Sequence, residues 1–366
     1  MLYNDIKHVL PEFAFEGAYH QVEAINSGII NNTYHLVYLL EDGTARHYTL
    51  QHINGYVFKD PVAVMNNIQR VTDYLRRSLR GEGLDPSRRV LRLKPTRGGA
   101  VFFRDREGGV WRAYDFIDNA TAYDRPQRPE DFYQVGRAFG EFQRRLCGFP
   151  MDQLAETIPD FHNTTKRFYD FVRALSQDRA GRARSVEAEI DAFFDRRKMM
   201  GQIVKGLEEG RLPLRVTHND TKINNVMLDD ATGQALCVID LDTVMPGSAL
   251  YDFGDAVRFG ASTADEDEAD TRLIRLDMDK YALFTRGFLE ETRGFLQPEE
   301  LKLLPLGVKV ITCELAMRFL TDYLDGDLYF KIKSPDHNLI RARAQLALLR
   351  DIEAQEDRMA QIAASL

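Results

Sequence analysis

The chain has 366 residues, 44% of them hydrophobic and 28% charged, and a net charge of −8 at pH 7. That is the balance of an ordinary soluble globular protein with room for two lobes and a large core. The acidic excess excludes a whole-surface nucleic-acid binder and a protein held to an anionic membrane by charge.

The opening MLYNDIKHVLPEF has no basic stretch followed by an apolar one, so no signal peptide is expected. The aromatics of residues 1–20 are expected to pack on a first lobe. Residues 21–27 and 28–39 read as strand, turn, strand, with Gly28, Asn31 and their polar neighbours in the turn. Arg46 to Ile53 reads as a third strand. Apolar spacing at Val64, Ile68, Val71, Leu75 and Leu79 predicts a helix over 61–79. Residues 90–95, 99–104 and 110–117 read as three more strands, joined by glycine-bearing turns. Six strands and one helix make a small antiparallel-sheet lobe over residues 1–117.

From 118 to 366 the pattern is mostly helical. Phe132, Val135, Phe139, Phe142 and Leu146 share one helix face and read as core. Residues 185–208 read as one long helix with Ser185 as N-cap. Residues 297–324 read as a helix or helix pair. Its apolar window 301–320 carries Lys302, Lys309, Glu314 and Arg318, so it suits a buried helix and not a lipid-facing span. Arg318 is either a buried ion-pair partner or a ligand contact. Ile340 to Ala364 reads as a closing amphipathic helix. The acidic run Asp265-Glu266-Asp267-Glu268, with Asp270 beyond, is either a solvated loop or helix start, or a cation-attracting wall. Of the three cysteines, Cys147, Cys237 and Cys313, none forms a C-x-x-C pair. Cys237 falls in an apolar strand and reads as a buried thiol, in keeping with a cytoplasmic protein.

Residues 215–258 carry the chemistry. The apolar runs Val226–Leu228 and Ala235–Ile239 flank the turn-forming Asp229 to Gln234, which predicts a β-hairpin. A hairpin brings its ends together, so Asp220, Asn225 and Asp240 are expected to meet. Phosphoryl transfer needs such a set, because its catalysis is mostly positioning and charge neutralisation. One carboxylate orients the attacking hydroxyl. A second carboxylate and an amide oxygen hold Mg²⁺, which prefers hard oxygen ligands.

This pattern, His-x-Asp-x-x-x-x-Asn followed by a hairpin and an Asp, resembles the protein-kinase-like phosphotransferases: aminoglycoside phosphotransferases, choline kinases and protein kinases. The resemblance implies an α+β, two-lobe protein-kinase-like fold with ATP and Mg²⁺ in the cleft. It implies Asp220 as the catalytic carboxylate, Lys222 as the γ-phosphate contact, and Asn225 and Asp240 as metal ligands. Gly28 and Asn31 would lie over the phosphates, and the backbone of Asp115 and Ile117 would receive adenine. Asp252-Phe253-Gly254 spells a metal motif but lies beyond the hairpin, so Asp252 is expected to steady the catalytic loop. His218 is expected to be structural.

The narrower phrases HNDTKINNV, VIDLDTVMPG, YDFGDAVR, VFKDP, RFLTDYLDGDLYF and HNLIRARAQL resemble N-acetylhexosamine 1-kinases, across nearly the whole chain. That implies transfer of the γ-phosphate of ATP to the C1 hydroxyl of N-acetylglucosamine or N-acetylgalactosamine. Phe259 and Arg318 would line the sugar pocket, and Asp242 would meet a second Mg²⁺ or sugar hydroxyls. The expected partners are ATP and a small sugar, with no nucleic acid and no membrane; the sequence sets no oligomeric state. One departure stands out. The third strand carries Thr49, Leu50 and Gln51 where protein kinases place a lysine, and residues 61–79 contain no Glu. Gln51 or Lys59 is left as the ATP contact. An aminoglycoside or choline-type kinase, or a non-catalytic ATP-binding regulator, remains as an alternative.

Overall fold

A computed structural model describes residues 2–25 and 30–366. A short helix α1 (Leu2–Ile6) precedes the sheet strands β1 (Ala18–Ile25), β2 (Asn32–Leu39) and β3 (Ala45–Ile53). Helix α2 (Pro61–Gly81) crosses over to β4 (Leu93–Lys94), β5 (Phe103–Arg104) and β6 (Val110–Asp115). All pairings are antiparallel, in the order β1-β2-β3-β6-β4, with β5 also on β6. The strand alternation sorts two faces. Tyr48, Leu50, Trp111 and Ala113 pack on one face against Phe13 and Phe15, as expected of the N-terminal aromatics. Ile53, Val110 and Tyr114 face the other way, toward α2 and toward Val216, Leu241 and Val244 of the second lobe. Helix α2 begins where expected because Asp60 caps it, its Oδ1 accepting from Val62 and Ala63, with Pro61 in the first turn.

The remainder is helical around small sheets. A short β7 (Ala120–Thr121) leads to α3 (Pro129–Arg145), α4 (Thr164–Gln177), α5 (Glu187–Met200) and α6 (Gln202–Glu208). Then follow β8 (Arg215–Thr217), β9 (Val226–Asp229), β10 (Ala235–Val238), β11 (Met245–Gly247) and α7 (Ala249–Gly260). The chain ends with α8 (Met278–Thr292), α9 (Pro298–Lys302), α10 (Leu304–Asp325), α11 (His337–Ala354) and α12 (Glu356–Ser365). Strand β7 joins β9 and β10 in one sheet, and β11 pairs β8. Helix α10 is buried almost all round and packs on α4, α7 and α11. It is the apolar window read from sequence, and among the described residues no helix is long and apolar enough to cross a membrane.

Three sequence expectations are corrected. The helix expected over 185–208 breaks at Gly201 into α5 and α6. Ser185 does not cap it: its Oγ donates to the Arg182 carbonyl within a preceding 3₁₀ turn, and Val186 stands at the cap without a side-chain bond. The expected closing helix starts earlier, at His337, and breaks at Gln355, whose side chain bonds Asp351 and the Leu276 carbonyl. Strands 90–95 and 99–104 shrink to two residues each, because they divide one edge of β6 between them, β4 pairing Ala113 and Tyr114 and β5 pairing Val110 and Trp111.

The crossing of α7 and α10 sets the position of the residues that follow. A Cβ on Gly254 would stand 2.4 Å from the Gly307 carbonyl oxygen, and one on Gly307 would stand 2.4 Å from the Leu250 carbonyl oxygen. Both obstacles are backbone, so neither helix can yield locally. Gly254→Ala is therefore expected to cost about 1–3 kcal/mol by overpacking. Denaturant unfolding measures it, and a stability equal to wild type would show that the helices separate freely.

Candidate functional site

The hairpin of β9 and β10 forms as its turn residues dictate. Asp229 Oδ1 accepts from the backbone of Ala231 at 3.2 Å and Thr232 at 3.0 Å, and Gly233 takes a φ of +70°. The far end then closes: Ile239 N donates to Asn225 O at 2.9 Å. Asp240, the next residue after Ile239, therefore lies beside the end of the loop 218–225.

That loop is held from below by one carboxylate. Asp252, 1% exposed on α7, accepts from His218 N at 2.9 Å, Asn219 N at 2.7 Å and Gln143 Nε2 at 2.5 Å. Its backbone carbonyl accepts from Thr221 Oγ1 at 2.6 Å, and Asp255 Oδ2 accepts from Thr221 N at 3.0 Å. Burial pushes the Asp252 carboxyl up, against the hydrogen bonds that favour its charged form. Asn219 is thereby kept at a φ of +63°. His218 is buried against Phe139 and Phe142. Its Nε2–H donates to the Ile239 carbonyl at 2.9 Å, and its Nδ1 accepts from Asp220 N at 3.3 Å. Both ring nitrogens are spent on backbone, which leaves neither to move protons in the cleft.

Above this floor the expected residues come together. Lys222 Nζ lies 2.9 Å from Asp220 Oδ1. Asn225 Nδ2 donates to Asp220 O at 2.8 Å and to Asp220 Oδ2 at 3.1 Å. Burial alone would raise the Asp220 carboxyl, but the Lys222 ammonium, and then the Asn225 amide, outweigh it and hold it below the usual range. Asp240, at a φ of +59°, is open to the cleft. The protein packed around it, and then the carboxylates of Asp242 and Asp220, push it upward, an effect that cleft water tempers. Among the described residues the Asp240 carboxylate and the Asn225 side-chain oxygen accept no hydrogen bond. No group of three His, Cys, Asp or Glu side chains among them is arranged to ligate a metal. Two hard oxygen donors in an acid-rich cleft fit a Mg²⁺-like cation, which commonly takes one or two carboxylates and completes its shell with phosphates and water.

The small lobe supplies a residue that the sequence reading missed. Arg112 on β6 is 1% exposed and salt-bridged through Nη1 to Asp242, itself 2% exposed. Asn31 Nδ2 donates to the other Asp242 oxygen at 2.7 Å. Both Asp242 oxygens thus face small-lobe donors. Gln51 donates to Thr33 Oγ1 at 3.0 Å and accepts from Arg112 Nε at 2.8 Å, so its amide is spent positioning Arg112. Lys59 is exposed over the Tyr56 ring. Asp115 N donates to the Arg92 carbonyl, whereas Ile117 N makes no hydrogen bond among the described residues. Gly28 lies outside the described residues. A signal for Arg112 exists in the sequence: it is the one charge inside the otherwise uncharged strand stretch Val110 to Tyr114.

The profile of the phosphotransferase enzyme family (APH) matches residues 21–286. The chain belongs to that family. Solved structures agree in fold. The amicoumacin kinase hAmiN, in complex with AMP-PNP, Ca²⁺ and Ami, shares 14% identity at a TM-score of 0.59, over 96% of this chain and 93% of that one. An aminoglycoside phosphotransferase from Alicyclobacillus acidocaldarius shares 13% identity at 0.61, over 98% and 96%. A choline kinase from Cryptosporidium parvum shares 13% at 0.56, over 94% and 92%. The chain has the two-lobe protein-kinase-like fold of APH phosphotransferases, with an antiparallel-sheet N-terminal lobe and a helical C-terminal one.

Members of the APH family phosphorylate small molecules. Arg318 and Phe259 are the two residues expected at a sugar pocket. Arg318 on α10 has 16% of its side chain exposed, and its guanidinium lies 5.3 Å from the Phe161 ring, 5.6 Å from Phe330 and 5.9 Å from Tyr329. Its nearest acid, Glu314, stands at 3.8 Å, and none of its N–H donors makes a hydrogen bond among the described residues. Asp322 holds the loop that carries Tyr329 and Phe330, accepting from the backbone of Leu328, Tyr329 and Phe330 at 2.8–2.9 Å. Phe259 is half-buried beside Arg258, which pairs with Asp255 and Glu266.

The acidic run is neither simply solvated nor an open wall. Asp265 pairs with Arg125, Glu266 with Arg258, Asp267 with Lys333 and His337, and Asp270 with Arg272. Hydrogen bonds from Lys333 and then His337 bring the Asp267 carboxyl down to about 2. Its folded pKa lies below the ordinary value of about 3.9. The stabilisation is therefore complete above that value and is lost as pH falls from about 4 to about 2. Melting curves of the wild type and Asp267→Asn are expected to converge across that window; curves that stay parallel would show that the pairing contributes nothing.

Proposed function

We propose that this phosphotransferase uses ATP and Mg²⁺ to phosphorylate the C1 hydroxyl of an N-acetylhexosamine, N-acetylglucosamine or N-acetylgalactosamine. The observation that carries the acceptor class is Arg318. A guanidinium with unspent donors inside an aromatic box suits hydroxyl and carbonyl oxygens and repels a cationic acceptor. A quaternary ammonium would need those aromatic faces for itself, and here the protein's own cation occupies them. An aminoglycoside would need free carboxylates, and those of the acidic run are mostly paired. The chain-wide likeness of the motifs to hexosamine 1-kinases points the same way.

In this reading Asp220 orients the acceptor hydroxyl and takes its proton late. A carboxylate held below its usual range is a weak base, and an anomeric hydroxyl, more acidic than an ordinary alcohol, demands no stronger one. Asn225 and Asp240 hold Mg²⁺, which supplies charge neutralisation at the phosphates. Lys222 neutralises the transferred phosphoryl group, the backbone of Ile117 meets adenine, and Phe259 and Arg318 contact the sugar. One observation favours a second reading. A cavity of about 240 Å³ runs from Asn219 and Tyr251 to Phe161, and Glu156 and Asp160 also line it; those two carboxylates suit an amine-bearing acceptor.

ADP release measured against free sugars, aminoglycosides and choline, followed by phosphorus NMR of the product, decides between them. A hexosamine 1-phosphate is the expected product. Turnover of an aminoglycoside alone overturns the sugar reading and keeps the chemistry. Asp220→Asn is expected to lower kcat by about 10²–10⁴ with nucleotide affinity retained; unchanged turnover would move the reactive centre elsewhere.

Arg318→Met gives an independent check on the acceptor. It is expected to raise the acceptor KM by roughly 10- to 100-fold, the worth of hydrogen bonds to a charged group. The KM for ATP is expected to stay put. If both rise together, or neither does, Arg318 is architectural.

A further inference from the structure

We propose that Arg112 is the small lobe's nucleotide-phosphate anchor, held by Asp242 and handed to the phosphates when nucleotide binds. This rests on the reading of the cleft as a nucleotide site. A polyphosphate needs fixed cations on both sides of the cleft. The large lobe offers Lys222. Across from it, the third-strand positions that share the sheet face of Arg112 beside it are Thr49 and Gln51, neither of them a cation. Gln51 and Arg112 are direct register partners on β3 and β6. Such partners project on the same sheet face about 5 Å apart. The cation is therefore shifted one strand sideways, and Gln51 steers it through Nε.

Burial makes an architectural explanation expensive. Removing a guanidinium from water costs several kcal/mol unless it is well paired, and a latch between lobes could be built from uncharged groups. Here one carboxylate and one amide satisfy Nη1 and Nε, and Tyr114 lies against the plane with its ring 5.4 Å from the guanidinium carbon. Among the described residues the Nη2 donors have no partner. A fork with a free arm fits phosphate oxygens, which a guanidinium binds through two parallel bonds. The acid that holds Arg112 is equally placed. Asp242 is two residues from Asp240, and Arg112 and Asp240 attract one another electrostatically. When phosphates take Arg112, Asp242 is left as a second carboxylate beside Asp240, still bonded to Asn31.

The test is calorimetric titration of ADP and of adenosine, in EDTA, into wild type, Arg112→Met and Arg112→Lys. Wild type is expected to bind ADP more tightly than adenosine. Arg112→Met is expected to lose roughly 10- to 100-fold in ADP affinity with adenosine unchanged, and Arg112→Lys to keep part of it. ADP binding at the wild-type level, or equal losses for ADP and adenosine, overturns the assignment. Where Arg112→Met does not fold, because Asp242 is left buried and unpaired, the Arg112→Met/Asp242→Asn double variant is compared with Asp242→Asn alone, with the same two outcomes. A wild type that binds no ADP would instead overturn the nucleotide reading of the cleft itself, together with this assignment.

Discussion

One buried carboxylate sets the geometry on which the rest depends. Asp252 takes two consecutive loop amides and the Gln143 amide on its two oxygens. A loop that turns Asn219 through a left-handed conformation would otherwise leave those amides unpaired, and each orphan would cost about 1–3 kcal/mol. The anchor sits on α7, and α7 is fixed by its glycine contact with α10. The line from a missing Cβ to a fixed helix, then to a carboxylate, then to a loop ends at Asp220. Positioning chemistry requires that kind of rigidity, since misplacement by an ångström can cost about 10²-fold in rate.

Charge balance organises the layer above. Asp220, Asp240 and Asp242 crowd one end of the cleft, and each is treated differently. Asp220 has Lys222 and Asn225, which keep it ionised. Asp242 has Arg112 and Asn31, which turn it toward the small lobe. Among the described residues Asp240 has no donor, and the protein packed around it, then the neighbouring carboxylates, push it upward. A cation placed there would reverse that effect, which is why the unsatisfied carboxylate, and not the satisfied ones, marks the metal position in the proposed mechanism.

What the sequence made legible was local. The hairpin follows from Asp229 and Gly233 within a few residues, and the meeting of Asp220, Asn225 and Asp240 follows from the hairpin. The separation of Asp252 from the metal motif it imitates was legible too, because the chain distance past Pro246-Gly247 forbids closure through the hairpin. What was hidden depends on long-range pairing. Arg112 meets Asp242 across 130 residues and Gln51 across 61, and neither periodicity nor spacing encodes a strand order. The acidic run was read as solvent-facing or ligand-facing, because Arg125 and Lys333, which neutralise it, lie 140 and 66 residues away. The break at Gly201 was a local signal left unread: a single glycine inside a helical pattern marks a place where a helix can end.

The absence of a lysine on the third strand and of a glutamate on α2 then becomes one fact, not two. An ion pair confined to the small lobe would hold its cation in place whatever the large lobe did. Here the cation is paired across the cleft, so the two lobes are joined by the same group that meets the nucleotide. Phosphates entering the cleft compete with Asp242 for Arg112, and the exchange converts a contact between lobes into a contact with ligand. Nucleotide binding and the relative position of the lobes are thereby coupled through a single guanidinium. The coupling has a sign: whatever strengthens the Arg112–Asp242 bridge weakens phosphate binding by the same free energy.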